Sequence, residues 1–381
     1  MNIIENKKKI IVIGKGTAGS LTLSAMYHNY NNSHEIEWHY DPNTPTQSVG
    51  EGSTLPLPYH LRSHHFFTYQ DFHLLDATLK MGVRKINWNG SNDYIHSFPV
   101  GNVAMHFNAV KLQKYIHGKH EGKVNLVHNN IKSYEDLDAD YIIDCTGTPK
   151  EFSKHNILDT IPVNAAYIKQ CPWDGPQFTY TLTVARPYGW VFGIPLQNRC
   201  SIGYLYNDNI NTKEEVEEDI KEIFKKFNLS PSEEESNISF KNYYRKTNFT
   251  DRVCWNGNAS FFLEPMEANA TGIISSTYDT VQRIINKTQT IKSANYQYTD
   301  YLEQVEGMIC LHYYAGSKFD TPFWRKAQEV SQKPVERMFK DLRFQKILEA
   351  IKYNYYIPDN IDYGQWNRHS FSENLKQLNL I

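Results

Sequence analysis

The sequence predicts a mixed α/β protein built from two or three structural units. Its 381 residues exceed a single typical domain of roughly 150 residues. Hydrophobic residues form 40% of the chain and aromatic residues 14%, which is enough for a packed core. The hydrophobic period also changes along the chain: a strand and helix open it, alternation marks the middle, and a helical pattern begins at Pro322. These observations favour an α/β opening unit, a largely β middle and a helical C-terminal part.

Charge and cysteine content exclude several classes of protein. The 40 Lys and Arg against 42 Asp and Glu leave no basic surplus for a run of phosphates, so no nucleic acid partner is expected. The five cysteines are widely spaced and include no C-x-x-C pair, which argues against a disulfide framework or a zinc ribbon. No run reaches the 18 or so apolar residues of a membrane span, and the start lacks a signal peptide pattern. We therefore expect a soluble, cytoplasmic protein with reduced thiols.

The opening unit reads as strand, helix and strand. Lys9 to Gly14 is a short buried strand, and Thr17 to Tyr30 carries apolar residues at helical spacing. Glu35 to Tyr40 alternates into a second strand that ends at Asp41. The Gly-, Ser-, Thr- and Pro-rich stretch from Pro42 to Pro58 is predicted to be a long loop, and long loops in compact domains are often functional.

The later elements follow the same rules. Asp140 to Cys145 predicts another short buried strand, and Phe178 to Phe192 alternates as a sheet does. A helix is predicted from Thr212, because Thr212 and Glu215 form a capping box ahead of an apolar stripe. Val335 to Tyr353 gives the clearest C-terminal helix.

The glycine-rich turn GKGTAG at residues 14–19 has the G-x-G-x-x-G spacing between a strand and a helix. The first glycine allows the tight turn, the second lets the backbone approach a pyrophosphate, and the third permits close packing of helix on strand. The acidic residue ending the second strand can bind an adenosine ribose. Residues predicted to bind the dinucleotide are Gly14, Gly16, Thr17, Ala18, Gly19 and Asp41. NAD and FAD use the same fingerprint, so the motif alone leaves the choice open.

Further segments keep a fixed order along the chain. They are VGEGSTLP at 49–56, ATLKMGVR at 77–84, DCTG at 144–147, GWVFGIPL at 189–196, GNA at 257–259, FLEPME at 262–267, HY at 312–313 and DTPFW at 320–324. Together with the glycine turn they resemble the flavin-dependent halogenases of the tryptophan halogenase type. One departure is Phe192, which stands where the family has a second tryptophan. The chain is also shorter than typical members, so we expect a divergent branch, viral or other, with a more open substrate site.

The resemblance implies an enzyme that makes hypohalous acid from reduced FAD, oxygen and a halide, which can be chloride, bromide or iodide. The hypohalous acid passes to Lys80, which either donates a hydrogen bond as an ammonium group or reacts as a neutral amine. An electron-rich aromatic of the indole or phenol type would be halogenated there, with Glu267 orienting Lys80 and stabilising the cationic intermediate. A separate flavin reductase would supply the electrons. Whether the chain forms a homo-oligomer stays open.

The resemblance also assigns further site residues. Those implied to bind FAD are Val49, Gly50, Glu51, Asn258 and Ile273. Thr271 and Gly272 are matched to the halide turn, although an alignment that puts Asn269 and Ala270 there is nearly as good. Trp190, Phe192, Ile194 and Pro195 are implied to form a barrier that keeps substrate away from the flavin.

The implied fold is an FAD-binding Rossmann-like domain of the flavin monooxygenase type, formed by residues 1–150 with 250–290. A largely β substrate region would take 60–110 with 150–250, and a helical region 291–381. No metal site is predicted, because His60, His64 and His65 lack an acidic partner in an H-E-x-x-H pattern. A hydroxylating flavin monooxygenase and a non-catalytic flavin-binding protein stay open as alternatives.

Overall fold

The computed structural model describes residues 7–44, 51–99, 101–129, 131, 133–356 and 361–381. Its strands are β1 (Lys8–Ile13), β2 (His34–Tyr40), β3 (Glu51–Gly52), β4 (Thr78–Lys80), β5 (Gly82–Ile86), β6 (Asp93–Ser97), β7 (Ala104–Phe107), β8 (Asn125–His128), β9 (Tyr141–Asp144), β10 (His155–Ile157), β11 (Ala165–Pro172), β12 (Thr181–Arg186), β13 (Gly189–Pro195), β14 (Arg199–Tyr206), β15 (Glu235–Ser239), β16 (Tyr243–Arg245), β17 (Val253–Trp255) and β18 (Phe261–Phe262). Its helices are α1 (Thr17–Tyr30), α2 (Pro56–His65), α3 (Ala109–His120), α4 (Lys213–Lys226), α5 (Asn269–Ile285), α6 (Ile291–Ala315), α7 (Pro322–Lys340), α8 (Leu342–Tyr353) and α9 (Arg368–Gln377).

A parallel sheet opens the molecule, with strand order β17-β9-β1-β2-β8. Its central strand β1 is an apolar run that is buried over its last four residues, as expected where both faces are covered. Helix α1 follows β1 directly and contacts α3 and α5. The predicted strand, helix and strand are therefore confirmed, with the first strand ending at Ile13.

A seven-stranded sheet forms the middle of the chain, in the order β15-β11-β14-β13-β12-β5-β6. Its pairs are antiparallel except β12 with β5. Helix α4 packs on this sheet through the buried Val216, Ile220 and Ile223. The predicted capping box is present, since the Thr212 hydroxyl accepts from the Glu215 N–H and the Glu215 carboxylate accepts from the Thr212 N–H.

The C-terminal part is helical, as predicted, but its clearest predicted helix is interrupted. Asp341 has extended backbone angles between α7 and α8, and its carboxylate caps α8 by accepting from the Arg343 N–H at 2.7 Å. The prediction of one helix from Val335 to Tyr353 was therefore wrong in its continuity. The apolar period continues across the break, while the cap that ends one helix and starts the next is a single polar residue.

The predicted loop from Pro42 to Pro58 includes the short strand β3 and the start of helix α2. Strand β3 pairs with β7, and α2 starts at Pro56, where proline is tolerated in the first helical turn. Together with β4, these strands form a small sheet of order β3-β7-β4. The predicted domain boundaries stay a prediction. Within the residues that the structure describes, no helix is long and apolar enough to cross a membrane.

Candidate active site

The glycine turn lies between β1 and α1, and its three glycines differ in their surroundings. Gly14 has φ of +99°, and a Cβ there would lie 2.5 Å from the Cys145 carbonyl oxygen. A Cβ on Gly19 would lie 2.0 Å from the Gly14 carbonyl oxygen, so the helix packs directly on the turn. A Cβ on Gly16 would meet no atom within 4 Å. The turn therefore needs glycine at two positions for its own packing, and at the third it leaves an open surface.

This open surface has the properties of a phosphate cradle. Gly16 is the N-cap of α1 and makes no side-chain cap, so the first N–H groups of the helix stay available. Thr17 and Ala18 begin the helix, and Gly257 of the GNA segment approaches so closely that a Cβ on it would lie 2.4 Å from the Ala18 Cβ. These residues fit the pyrophosphate of a dinucleotide.

Two of the remaining residues predicted to bind the dinucleotide, Asp41 and Asn258, follow strands β2 and β17 of the same parallel sheet. Asp41 follows β2, and its carboxylate accepts the Asn43 N–H at 2.8 Å. Asn258 is the middle residue of the GNA turn, and its carbonyl accepts the Tyr243 hydroxyl at 2.7 Å. Glu51 lies in β3 opposite Phe107. Val49 and Gly50 lie outside the described residues.

Lys80 is the last residue of β4, and its side chain is buried at 1% exposure. Its amine donates to the Ser53 carbonyl oxygen at 3.0 Å. Burial lowers the pKa of Lys80 to about 8, although the nearby Glu267 carboxylate acts in the opposite direction. The lysine is thus buried and tied to the segment that continues from the predicted flavin loop.

A chain of hydrogen bonds holds the strand of Lys80 in place. The Thr78 hydroxyl donates to the Pro195 carbonyl at 2.6 Å and lies 3.0 Å from Nδ1 of His106. The other nitrogen of His106 lies 2.9 Å from the Thr181 hydroxyl. Because burial holds the pKa of His106 well below its usual range, the ring is neutral. One ring nitrogen then donates and the other accepts, so His106 links Thr78 to Thr181. The bond from Thr78 to Pro195 fixes β4 against β13.

The predicted barrier residues lie on β13 and are buried. Alternation places Trp190, Phe192 and Ile194 on the face toward the main core, while Val191 faces the core under α4. The Trp190 indole donates to the Tyr313 hydroxyl at 2.8 Å. The Phe192 ring lies over Gly203, where a Cβ would come within 2.2 Å of the ring. Phe192 therefore packs as a wall in this strand, while its role as a barrier stays a prediction.

Glu267 is buried at a backbone turn, with φ of +64° at this residue and +54° at Ala268. The sequence predicted that it orients Lys80, but the carboxylate pairs directly with Lys85, 2.5 Å from Oε1. Burial by itself would raise the pKa of Glu267, yet the Lys85 ammonium, aided by His312 and His96, holds it well below its usual range. Glu267 is thus an ionised carboxylate in the interior.

Sequence reasoning missed Lys85. Lys80 was assigned through the family resemblance, which gives no role to Lys85, and alternation along one continuous strand would place residues 80 and 85 on opposite faces. In the structure β4 and β5 belong to different sheets, and the chain bends between them at the exposed Met81. The bend brings both lysines to Glu267.

The predicted halide residues Thr271 and Gly272 lie in the first turn of α5. The Thr271 hydroxyl accepts from the Thr54 N–H at 3.1 Å, which joins this turn to the segment after β3. Ile273 is buried in the same helix. The rival alignment uses Asn269 and Ala270, the first two residues of the helix. Both alignments therefore place the anion at one helix N-terminus, where free N–H groups and the helix dipole favour it.

Residues 361–381 enclose this site. The Trp366 indole N–H donates to Oε2 of Glu267 at 3.3 Å, and the Gln365 amide lies so close to Gly272 that a Cβ there would meet it at 2.6 Å. The Asn374 side chain accepts from Lys85 at 2.5 Å. The sequence predicted a more open site, whereas the described residues form a closed one because this C-terminal segment packs over it.

Comparison with known proteins identifies the family. The family model described as tryptophan halogenase matches residues 9–129 and 113–346. The chain belongs to the tryptophan halogenase family. It is 21% identical to the tryptophan 7-halogenase RebH of Lentzea aerocolonigenes, in a match that covers 84% of this chain and 79% of RebH. Four further tryptophan halogenases match over 39–51% of their own length.

Solved structures of halogenases share the fold. Xcc4156, a flavin-dependent halogenase from Xanthomonas campestris, aligns with a TM-score of 0.81 at 18% identity and covers 99% of this chain and 90% of its own. MibH, a lathipeptide tryptophan 5-halogenase, aligns with a TM-score of 0.82 at 16% identity, over 100% of this chain and 87% of its own. The predicted α/β fold and the predicted flavin-dependent halogenase of the tryptophan halogenase type are confirmed. The protein is an oxidoreductase that acts on an aromatic substrate.

Proposed function

We propose that this halogenase binds FAD at the glycine turn and uses Lys80 to direct hypohalous acid onto an electron-rich aromatic of the indole or phenol type. When bound, reduced FAD supplies hypohalous acid from oxygen and a halide, and a separate flavin reductase supplies the electrons. The observation that carries the proposal is the burial of the Lys80 amine beside the segment that follows the flavin loop. A buried ammonium donor can polarise the hypohalous oxygen more strongly than one in water.

The first contribution of the chain is to hold the cofactor and the halide. The open surface at Gly16 and the free N–H groups of α1 suit the pyrophosphate. The N-terminus of α5, with Thr271 on its first turn, suits the anion. We propose that chloride, bromide and iodide all bind there, and that bromide and iodide, which are easier to oxidise, are accepted.

The second contribution is to stabilise the reacting aromatic. Glu267 places a carboxylate where positive charge develops on the ring. The Trp366 indole supports indoles and phenols as the substrate class, because it shows what kind of ring these charged groups accept. Its N–H donates to Glu267, and its ring lies 4.9 Å from the Lys85 amine. An aromatic ring that carries an N–H or O–H donor fits these neighbours.

The experiment is a mass-spectrometric screen with FAD, a flavin reductase and each halide in turn. Indoles and phenols are compared with matched aromatics that lack the N–H or O–H donor. We expect halogenated product that depends on halide and is lost in Lys80→Ala, while flavin reoxidation continues. Lys169→Ala is the matched control, since this lysine pairs with Glu235 on another strand and should leave the product unchanged. A hydroxylated product that persists without halide and in Lys80→Ala would establish a monooxygenase instead.

A further inference from the structure

Lys85 is a second fully buried lysine of the site, five residues after Lys80. Its amine has three polar neighbours at hydrogen-bond distance. They are Oε1 of Glu267 at 2.5 Å, Nε2 of His312 at 2.7 Å and Oδ1 of Asn374 at 2.5 Å. The contacts to His312 and Asn374 are hydrogen bonds, and the contact to Glu267 is an ion pair.

The geometry of His312 shows which group carries the positive charge. Its Nε2 accepts from Lys85, and its Nδ1 lies 3.1 Å from the Met308 carbonyl oxygen, which can only accept. Nδ1 therefore carries the proton and Nε2 does not. Burial, with the nearby Lys85, lowers the pKa of His312 to about 4, which agrees with a neutral ring. Lys85 is thus the cation that balances Glu267.

Other titratable groups face Glu267 from several elements. They are Lys80 on β4, Tyr94 and His96 on β6, His312 on α6 and Glu264 on its own segment. His96 lies 3.6 Å from Oε2 and His312 lies 3.5 Å from Oε1, and burial lowers the pKa of both rings. Among the described residues, Lys85 is the one lysine or arginine at hydrogen-bond distance from this carboxylate. Burial lowers the pKa of Lys85, while the Glu267 carboxylate acts to raise it and so favours the ammonium form.

We propose that Lys85 is a positioning residue, which holds Glu267 ionised and fixed through Oε1, so that Oε2, the oxygen that accepts the Trp366 indole N–H, carries negative charge toward the reacting aromatic. This inference rests on the proposed function. A buried carboxylate without a cation takes up a proton and loses the charge that a cationic intermediate needs. The same pairing makes Glu267 a weak base, so its contribution is to stabilise charge more than to accept a proton.

The first test measures thermal unfolding against pH in the apoprotein, so it does not depend on any activity. In Lys85→Met no lysine ammonium balances the buried Glu267 carboxylate, so folding takes up a proton. The proton binds either Glu267 or a neighbouring histidine, and taking it up costs stability at high pH. We expect the deficit in Tm relative to the wild type to grow by on the order of 5 °C between pH 5 and pH 7.5. The double variant Lys85→Met with Glu267→Gln should remove this pH dependence. A deficit in Lys85→Met that is the same at every pH would overturn the proposal, since lost packing alone gives that result.

The second test measures kcat against pH. Lys85→Gln keeps a donor amide beside Glu267, and it also replaces Lys85→Met in the unfolding experiment if that variant does not fold. We expect its acid limb to move up by at least about one pH unit, while Lys85→Arg, which keeps the charge, retains the wild-type limb at a lower rate. Lys169→Gln is the control. An unchanged acid limb in Lys85→Gln overturns the inference alone, whereas a wild type without halogenated product overturns the proposed function, and the unfolding experiment still decides on Lys85.

Discussion

Two neighbours of Lys80 favour its charged form, whereas burial and the nearby Lys85 ammonium oppose that form. The Lys80 amine donates to the Ser53 carbonyl, and the field of the Glu267 carboxylate acts to raise its pKa. Burial is the larger effect and brings the pKa to about 8. The residue is therefore an ammonium group at neutral pH and an amine a little above it.

This value separates the two roles that a lysine could have in the reaction. A hydrogen-bond donor to the hypohalous oxygen works best as an ammonium group, whereas a haloamine forms from the neutral amine. We expect the first role, so the rate of halogenation should fall as pH rises through about 8. The measurement is halogenated product per unit time from pH 6 to pH 10, with flavin reoxidation followed in the same samples.

Lys80→Arg provides the control, because an arginine stays protonated throughout this range. Any activity left in this variant should lack the fall near pH 8. A wild-type rate that increases above pH 8 would favour the haloamine and contradict the expectation.

At the scale of elements, the turn between β1 and α1 offers a test in which binding and stability separate. A Cβ on Gly14 or Gly19 would come within 2.5 Å of backbone, whereas a Cβ on Gly16 would meet nothing within 4 Å. Gly14→Ala and Gly19→Ala should therefore lower the free energy of unfolding of the apoprotein, each by an amount typical of overpacking, about 1–3 kcal/mol or more, and the Tm falls with it. Gly16→Ala should leave the Tm nearly unchanged and weaken FAD binding.

Flavin fluorescence titration measures the affinity, and thermal unfolding of the apoprotein measures the stability. Gly118→Ala is the matched control, since Gly118 lies within α3 and a Cβ there meets no atom within 4 Å. That variant should bind FAD like the wild type. Tight binding in Gly16→Ala would show that the dinucleotide does not lie on this surface.

The same scale explains what the sequence could predict. The glycine turn, helix α1 and the capping box at Thr212 depend on residues that are neighbours in the chain, so their local pattern was sufficient. The break at Asp341 was missed because the apolar period continues through it. The prediction that Glu267 faces Lys80 came from a family pattern, and the pattern carried no information about Lys85.

Lys85 could be found only from the path of the chain. Alternation along one continuous strand separates residues 80 and 85, and the bend between β4 and β5 cancels that separation. Its other partners, His312 and Asn374, are more than 220 residues away in sequence. The local sequence does not mark Lys85 as buried, because Arg84 stands beside it. The signal is structural: a lysine is almost never fully buried without a partner.

For the molecule as a whole, histidines that are buried or partly buried dominate the response to acid. Nine of them have a pKa lowered chiefly by burial: His34, His60, His64, His65, His96, His106, His120, His155 and His312. His60 and His65 both contact the Ser24 hydroxyl, and the rings of His60 and His64 lie 4.1 Å apart. Protonating one of these rings therefore places a charge beside the others.

The sign of the effect follows from linkage. The unfolded chain binds protons at a histidine pKa near 6.5, while the folded protein binds them only at lower pH, at about 4 for His64 and about 3 for His65. Stability from these groups is therefore complete above about pH 6.5 and is lost as pH falls below it. Glu264 acts in the opposite direction, since burial raises its pKa to about 8. Burial also raises the pKa of Asp279, so two carboxyl groups oppose nine histidines and the net loss on acidification remains.

We accordingly expect the Tm to fall between pH 7 and pH 5, and to fall less steeply in His65→Gln. Glutamine keeps a polar contact to Ser24 while removing the group that titrates. The exposed His73 supplies the control, because His73→Gln should leave the slope of Tm against pH as it is in the wild type. Equal slopes in His65→Gln and the wild type would contradict the assignment. The acid response would then have to come from the remaining buried histidines or from carboxylates such as Glu267, whose protonation breaks its pair with Lys85 only at much lower pH.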